Sequence, residues 1–141
     1  MKKELKITES QLPKLTNEQR DKLIPILLKM LKAKSSYDRP ITSDIIIKWF
    51  NENKQKTGME KTICSPTLRK AINYIRTSGI APVMSNSNGY FMCDDPKEIY
   101  KIAISLEQRA ESINTAAKGL RELAKEIEAT GKKKDDLWDM L

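Results

Sequence analysis

The chain has 141 residues and a net charge of +7, with 26 Lys and Arg against 19 Asp and Glu; this suits one compact domain plus an appendage and favours a polyanionic partner. It contains no histidine, and it has neither a nucleotide-phosphate loop nor a metal-ligand pattern around Cys64 and Cys93, so we expect no enzyme activity and no cofactor. Without a long apolar run or a signal-peptide core, the sequence predicts a cytoplasmic protein that does not engage a membrane.

The first helix is predicted to begin near Thr16, after an N-terminal arm formed by residues 1–15. Thr16 and Gln19 have the spacing of a capping box. Apolar residues then recur with helical spacing, namely Leu23, Ile24, Leu27, Leu28 and Leu31. Pro25 predicts either a kink or a true start nearer Lys22.

Residues 37–41, predicted to form a turn followed by a very short extended piece, separate the first helix from the second. Either Thr42 or Ser43 is expected to cap the second helix, which should end by Gly58. Its predicted buried stripe consists of Ile45, Ile46, Trp49 and Phe50. The residues predicted to face water are Lys48, Asn51, Glu52 and Lys54.

The third helix has a strong start signal, with Ser65 as N-cap and Pro66 at the first helical position. Gly79 should stop it. Its predicted inner face comprises Leu68, Ala71, Ile72 and Ile75. Its other side carries Thr67, Arg69, Lys70, Asn73, Tyr74, Arg76 and Thr77. That side is either an ordinary solvated face or a surface that donates hydrogen bonds to phosphates and base edges.

A β-hairpin is predicted next, from two extended runs at residues 80–84 and 90–93. The five residues between them end in Asn88-Gly89, a pair that tolerates the positive φ angles of a tight turn. Whether or not the third helix binds nucleic acid, the hairpin is expected to close the core.

The order of these elements is helix, very short strand, helix, helix, strand, turn, strand. With Ile41-Thr42-Ser43 opening the second helix, the run 68–76 in the third and the turn at 85–90, the chain resembles the winged helix-turn-helix fold. Within that fold it resembles the small winged-helix proteins of bacteriophages and prophages, over about Thr16 to Asp95. The resemblance implies a mainly α fold with a small β-hairpin (α+β) and a domain at residues 16–94.

The resemblance also implies that helix 66–78 enters the DNA major groove and that the hairpin tip, the wing, touches the backbone. The DNA-binding residues are then Thr67, Arg69, Lys70, Asn73, Tyr74, Arg76, Ser85, Asn86 and Asn88. Tyr74 either reaches DNA or bridges the second and third helices. Two departures from the family pattern are a long connection between those helices and a wing tip without Lys or Arg.

A long C-terminal helix is predicted from Asp95-Pro96 to about Ala129, within a segment at residues 95–130. Positions along it alternate spacings of three and four. The series is Ile99, Ile102, Leu106, Arg109, Ile113, Ala116, Leu120, Leu123 and Ile127, and all of these except Arg109 and Ala116 are predicted self-association residues. Arg109 interrupts this heptad pattern; it either sets the register or reaches an acidic neighbour. Alanines at 103, 110, 117 and 124 widen the stripe. The pattern predicts a homodimer, parallel or antiparallel, whereas the alternative is packing against the chain's own domain.

Residues 131–141 form a basic spacer followed by an acidic-aromatic tail. Leu137, Trp138 and Leu141 are expected either to dock into a partner's groove or to pack on the chain's own helices. Two functions remain open at this stage. The first is a nucleic-acid-binding protein, most simply a phage-type transcriptional regulator or replication accessory that binds double-stranded DNA. The second is a protein-interaction module, such as a phage-encoded adaptor or inhibitor of a host complex, that uses the long helix and tail.

Overall fold

The computed structural model describes residues 7–131. The described chain is mainly helical, with a two-stranded antiparallel sheet and a long C-terminal helix. In chain order the principal elements are α1 (Ile24–Lys34), α2 (Ser43–Glu52), α3 (Lys54–Thr57), α4 (Ser65–Thr77), β1 (Val83–Asn86), β2 (Gly89–Met92) and α5 (Pro96–Thr130).

The capping box at Thr16 is present, because the Gln19 N–H donates to Thr16 Oγ1 over 3.1 Å and the Thr16 N–H donates to Gln19 Oε1 over 3.0 Å. A π-helical turn, Gln19–Leu23, follows directly and leads into α1. Pro25 has no N–H to donate, and the wider turn immediately precedes it. Helical hydrogen bonding is already present at Arg20, whose N–H donates to Thr16 O. The later start near Lys22 was therefore a wrong prediction.

The core is built from one face each of α1, α2 and α4, with β1 packed on it. Its buried members are Leu23, Ile24, Leu27, Leu31, Ile46, Phe50, Met59, Ile63, Leu68, Ala71, Ile72, Ile75 and Val83. The inner face predicted for the third helix is confirmed, because all four of its residues are buried. Spacings of three and four place those residues on one side of α4, and its other side is left for contacts outside the core.

The second helix departs from its predicted stripe. Thr42 is its N-cap and accepts a hydrogen bond from the Ile45 N–H over 3.3 Å. Ile46 and Phe50 are buried and Trp49 is half-buried, but Ile45 is 60% exposed. The prediction for Ile45 was wrong because the core occupies only the part of the helix centred on Ile46 and Phe50, so Ile45 lies at the edge of that face.

The connection between α2 and α4 is structured rather than a plain loop. α2 ends at Glu52, before Gly58 as predicted, and the single turn α3 ends at Thr57, with Gly58 at φ 74° as its C-cap. Asn51, predicted to face water, is half-buried: its Nδ2 donates to Ile63 O over 3.0 Å and its Oδ1 accepts from the Ile63 N–H over 2.8 Å. One side-chain amide therefore fixes the chain just before α4.

α4 begins one residue earlier than predicted. The N-cap is Cys64, which has extended backbone angles, and Ser65 is already the first helical residue, so Pro66 occupies the second position. Proline is tolerated throughout the first turn because the N–H groups there have no intrahelical acceptor. Gly79, with φ 66°, follows the helix as predicted.

The predicted hairpin is present, but its strands are shifted. Asn86 pairs with Gly89 across a two-residue loop, and β1 begins only at Val83. All described residues with positive φ are glycines, and Gly89 has φ 136°; the Asn88 position therefore does not use the left-handed conformation. Gly89 also meets the Ile41 backbone closely, since a Cβ built on it would lie 2.3 Å from Ile41 O.

A bridge ties the hairpin to the chain preceding α2. The Ile41 N–H donates to Tyr90 O, and the Tyr90 N–H donates to Ile41 O, each over 2.8 Å. This is the very short extended piece that the sequence predicted before the second helix. It holds the start of α2 beside the hairpin tip.

The chain divides into two compact units between Ile99 and Tyr100. We call residues 7–99 the N-terminal unit and residues 100–131 the C-terminal unit, as far as they are described. α5 ends at Thr130, as predicted to within one residue. None of the helices within residues 7–131 combines the length and apolar character needed to cross a bilayer.

Candidate nucleic-acid interface

The outward side of α4 presents the polar residues that the sequence singled out. Arg69, Lys70 and Asn73 are exposed, since they alternate with the buried inner face of the same helix. We call these three residues the α4 outer face. Two cations and one amide on a single helix can contact phosphate oxygens and the acceptor groups of base edges.

Arg76 has a different position from the one expected. Its Nε donates to Val83 O over 2.6 Å, and its Nη2 donates to Ser85 Oγ over 3.2 Å. The guanidinium thus joins the last turn of α4 to β1. Arg76 is best described as a residue that positions the hairpin, and Ser85 is its partner.

Tyr74 and Thr67 are also less available than the α4 outer face. Tyr74 is half-buried and packs against the core, in keeping with the alternative that it bridges helices. The Thr67 hydroxyl lies 3.2 Å from Cys64 Sγ. The hydrogen bond joins the first turn of α4 to its N-cap.

A polar pocket of about 310 Å³ lies between the hairpin tip and the start of α2. Its lining is rich in hydroxyl and amide groups and consists of Thr42, Ser43, Ser85, Asn86, Ser87, Asn88, Gly89 and Tyr90. Asn86 Oδ1 accepts the Asn88 N–H over 2.8 Å, which shapes the tip. The predicted wing residues therefore meet the N-terminus of α2, a position where a negative charge is stabilised.

Sequence reasoning missed the contribution of α2 to this pocket. Ser43 was considered only as a cap, and Ser87 was not named. The available signal was the resemblance itself, which brings the hairpin near the second helix, but the Ile41–Tyr90 pairing that sets their distance is a tertiary contact.

The segment that carries these features is uniformly non-acidic. Between Glu60 and Asp94 the sequence contains Lys61, Arg69 and Lys70, together with Arg76, and no Asp or Glu. α4 and the hairpin therefore combine positive and neutral polar groups, whereas the acidic residues of the chain lie elsewhere. Such a distribution favours a polyanion at this surface.

Cys64 is predicted to be the more reactive of the two thiols. The Thr67 hydroxyl, and next its N–H, hold the pKa of the exposed Cys64 thiol below its ordinary value, and the charge of Arg69 acts in the same direction. Because the thiolate is the nucleophile, alkylation of Cys64 should accelerate at lower pH than that of an unperturbed thiol. Cys93 is buried and should react much more slowly.

Mass-spectrometric rates of iodoacetamide labelling between about pH 6 and 9 test this prediction. Thr67→Val should move the Cys64 profile to higher pH and leave Cys93 unchanged. Equal Cys64 labelling profiles for the parent protein and Thr67→Val would contradict the role assigned to the Thr67 hydroxyl.

The predicted self-association residues lie on α5. Ile113 and Leu120 are 68% and 67% exposed, and Leu106, Leu123 and Ile127 are also exposed. Ile99 and Ile102, near its start, are half-buried. Within the described residues, the C-terminal unit thus carries an apolar seam whose side chains are largely exposed. The tail residues Leu137, Trp138 and Leu141 lie outside the described residues.

Within residues 7–131 no group of three His, Cys, Asp or Glu side chains is arranged to hold a metal ion. No protein-family model, no curated protein and no solved structure matches the chain.

Proposed function

We propose that the N-terminal unit is a winged helix-turn-helix domain that binds double-stranded DNA. In this assignment α2 and α4 are the helix pair, the hairpin is the wing, and the protein is a phage-type transcriptional regulator or replication accessory. The observation that carries the proposal is the α4 outer face, with two exposed cations and an amide, on a helix that Arg76 joins to the hairpin.

The proposed binding mode divides the contacts between base edges and backbone. Asn73 suits adenine, and Arg69 suits guanine through paired hydrogen bonds. Lys70 supplies a phosphate contact. The polar pocket supplies neutral donors and the helix N-terminus of α2, which suit a phosphate without requiring a cation at the wing tip. Arg76 acts through the hairpin by holding it against α4.

Fluorescence anisotropy with labelled duplex DNA tests the proposal. Neutralised phosphates release counterions, so binding should weaken steeply between about 50 and 200 mM salt. A folded full chain that binds no duplex at the lower salt concentration would exclude this function. The protein-interaction alternative would then be favoured.

A homodimer formed through α5 belongs to the same proposal, since two linked domains can contact two half-sites. Ile113 lies in the middle of the seam, and a charge there would be buried without a partner. Ile113→Asp is therefore expected to convert the dimer to a monomer in sedimentation equilibrium. Ile104→Asp is the matched control, because Ile104 is 54% exposed on the same helix but lies outside the heptad seam. A monomeric parent protein, or equal effects of both changes, would contradict a dimer through this seam.

A further inference from the structure

An apolar groove lies between α1 and α2, and none of the residues predicted to bind DNA lines it. Its volume is about 440 Å³, within the range of ligand-binding pockets, and its lining consists of Ile26, Lys29, Met30, Ala33, Lys34, Ile41, Ile45 and Trp49. Ile45 is exposed, although the helical spacing of the second helix predicted that it is buried. Because Ile45 lines this groove, its side chain is part of a larger apolar surface rather than an isolated exposed apolar group.

The rim of the groove carries charge of one sign. Its charged lining residues are Lys29 and Lys34, both exposed on α1. An apolar floor between two ammonium groups fits a segment that combines large apolar side chains with carboxylates. A basic or purely polar segment does not meet both requirements.

The chain itself contains such a segment beyond the described residues. The run Asp135-Asp136-Leu137-Trp138-Asp139-Met140-Leu141 intersperses three acids with four large apolar side chains. Tryptophan supplies much apolar contact area at low conformational cost, which makes it an effective anchor in a groove. The acids are complementary to the two lysines of the rim.

The length of α5 separates the tail from the start of its own helix. A helix of 35 residues places its end roughly 50 Å from its start. The seven residues from Gly131 to Trp138 span at most roughly 25 Å when fully extended. An antiparallel pair of α5 helices, in contrast, places the end of one helix beside the start of the other, and therefore beside the N-terminal unit of the second copy.

Arg109 gives an independent reason for antiparallel pairing. In a parallel pair in register, each Arg109 faces its own copy, and two like charges share one layer of the seam. An antiparallel pair that sets Ile99 opposite Leu123 of the second copy instead sets Arg109 opposite Ile113. The two guanidiniums then lie in different layers.

We infer that the acidic-aromatic tail at residues 135–141 of one copy binds in the α1–α2 groove of a second copy. The α5 helices pair antiparallel in this arrangement. Leu137 and Trp138 occupy the apolar floor, and the aspartates lie near Lys29 and Lys34. This inference rests on the proposed dimer and is independent of DNA binding.

Tryptophan emission of the full chain tests the contact. In a Trp49→Phe background Trp138 is the remaining tryptophan, and its emission should lie at shorter wavelength, with weaker acrylamide quenching, than that of an exposed indole. Adding Ile45→Glu should move the emission to longer wavelength and increase quenching. Ile80→Glu is the matched control, because Ile80 is 49% exposed and does not line the groove; it should leave both readouts unchanged.

A mixing experiment identifies which copy supplies the groove. One chain carries Trp49→Phe and Ile45→Glu, so its tail emits but its groove is blocked. The other carries Trp49→Phe and Trp138→Phe, so its groove can bind a tail but its own tail gives no tryptophan emission. After subunit exchange, with the second chain in excess, the emission should return to shorter wavelength. Circular dichroism checks that every variant is folded.

Three results would overturn the inference: emission of an exposed indole in the Trp49→Phe parent, equal responses to Ile45→Glu and Ile80→Glu, or no recovery after exchange. No recovery after exchange, combined with short-wavelength emission in the Trp49→Phe parent, would indicate that the tail binds the groove of its own chain. Anisotropy with duplex DNA separates this test from the proposed function, because Arg69→Ala combined with Lys70→Ala should weaken DNA binding and leave the Trp138 emission unchanged.

Discussion

Gly89→Ala is expected to destabilise the N-terminal unit by about 3 kcal/mol. Two causes combine at this position. The φ of 136° is rarely adopted by residues with a Cβ. The new Cβ would lie 2.3 Å from Ile41 O and 2.8 Å from Thr42 N, and both are backbone atoms that cannot rotate away. Relief requires breaking the Ile41–Tyr90 bridge.

Thermal unfolding followed by circular dichroism measures this effect. For a unit of this size the expected loss corresponds to a midpoint lower by more than about 10 °C. Gly119→Ala is the matched control, since nothing lies within 4 Å of its added Cβ and the site is helical. It should be neutral or stabilising by up to about 1 kcal/mol. An unchanged midpoint for Gly89→Ala would contradict the close backbone approach.

Arg69→Ala combined with Lys70→Ala is expected to weaken duplex binding roughly 10- to 100-fold at low salt and to reduce the salt slope by about two. Both side chains are exposed, so their loss should not change folding. The change omits Arg76 deliberately, because removing that guanidinium would also release the hairpin. Anisotropy titrations at several salt concentrations give both the affinity and the slope.

Lys32→Ala combined with Lys48→Ala is the control for net charge. It removes the same two charges from exposed positions on α1 and α2, outside the α4 outer face. Its salt slope should stay close to that of the parent. If both double variants lose affinity equally, binding depends on overall charge, and the assignment of α4 as the recognition helix is wrong.

The sequence predicted best those elements whose determinants are local. The inner face of α4 follows from four apolar residues at helical spacing, and α5 follows from a cap, a proline and a heptad pattern with one polar interruption. The capping box at Thr16 is equally local. Such signals are contained within one or two turns of chain, so they can be recognised before any tertiary contact is known.

The errors arose where a distant partner decides the outcome. Asn51 is polar, and its pattern places it toward water, but the Ile63 backbone 12 residues later satisfies both of its amide groups. Ile45 is apolar and suits a core, yet the core is filled without it. Arg69, Lys70 and Asn73 are exposed on α4, as helical spacing predicted. The hairpin partner of Arg76, in contrast, depends on a contact that spacing does not encode.

The bridge between Ile41 and Tyr90 also has a consequence for the order in which the molecule forms. It joins residues 49 positions apart along the chain, so its formation carries a loop-closure entropy cost that no single helix of this unit requires. The helices can form from local contacts, but the polar pocket exists only after this closure. Its amide protons should therefore gain protection late in refolding, and a nascent chain acquires the complete surface only once β2 has been synthesised.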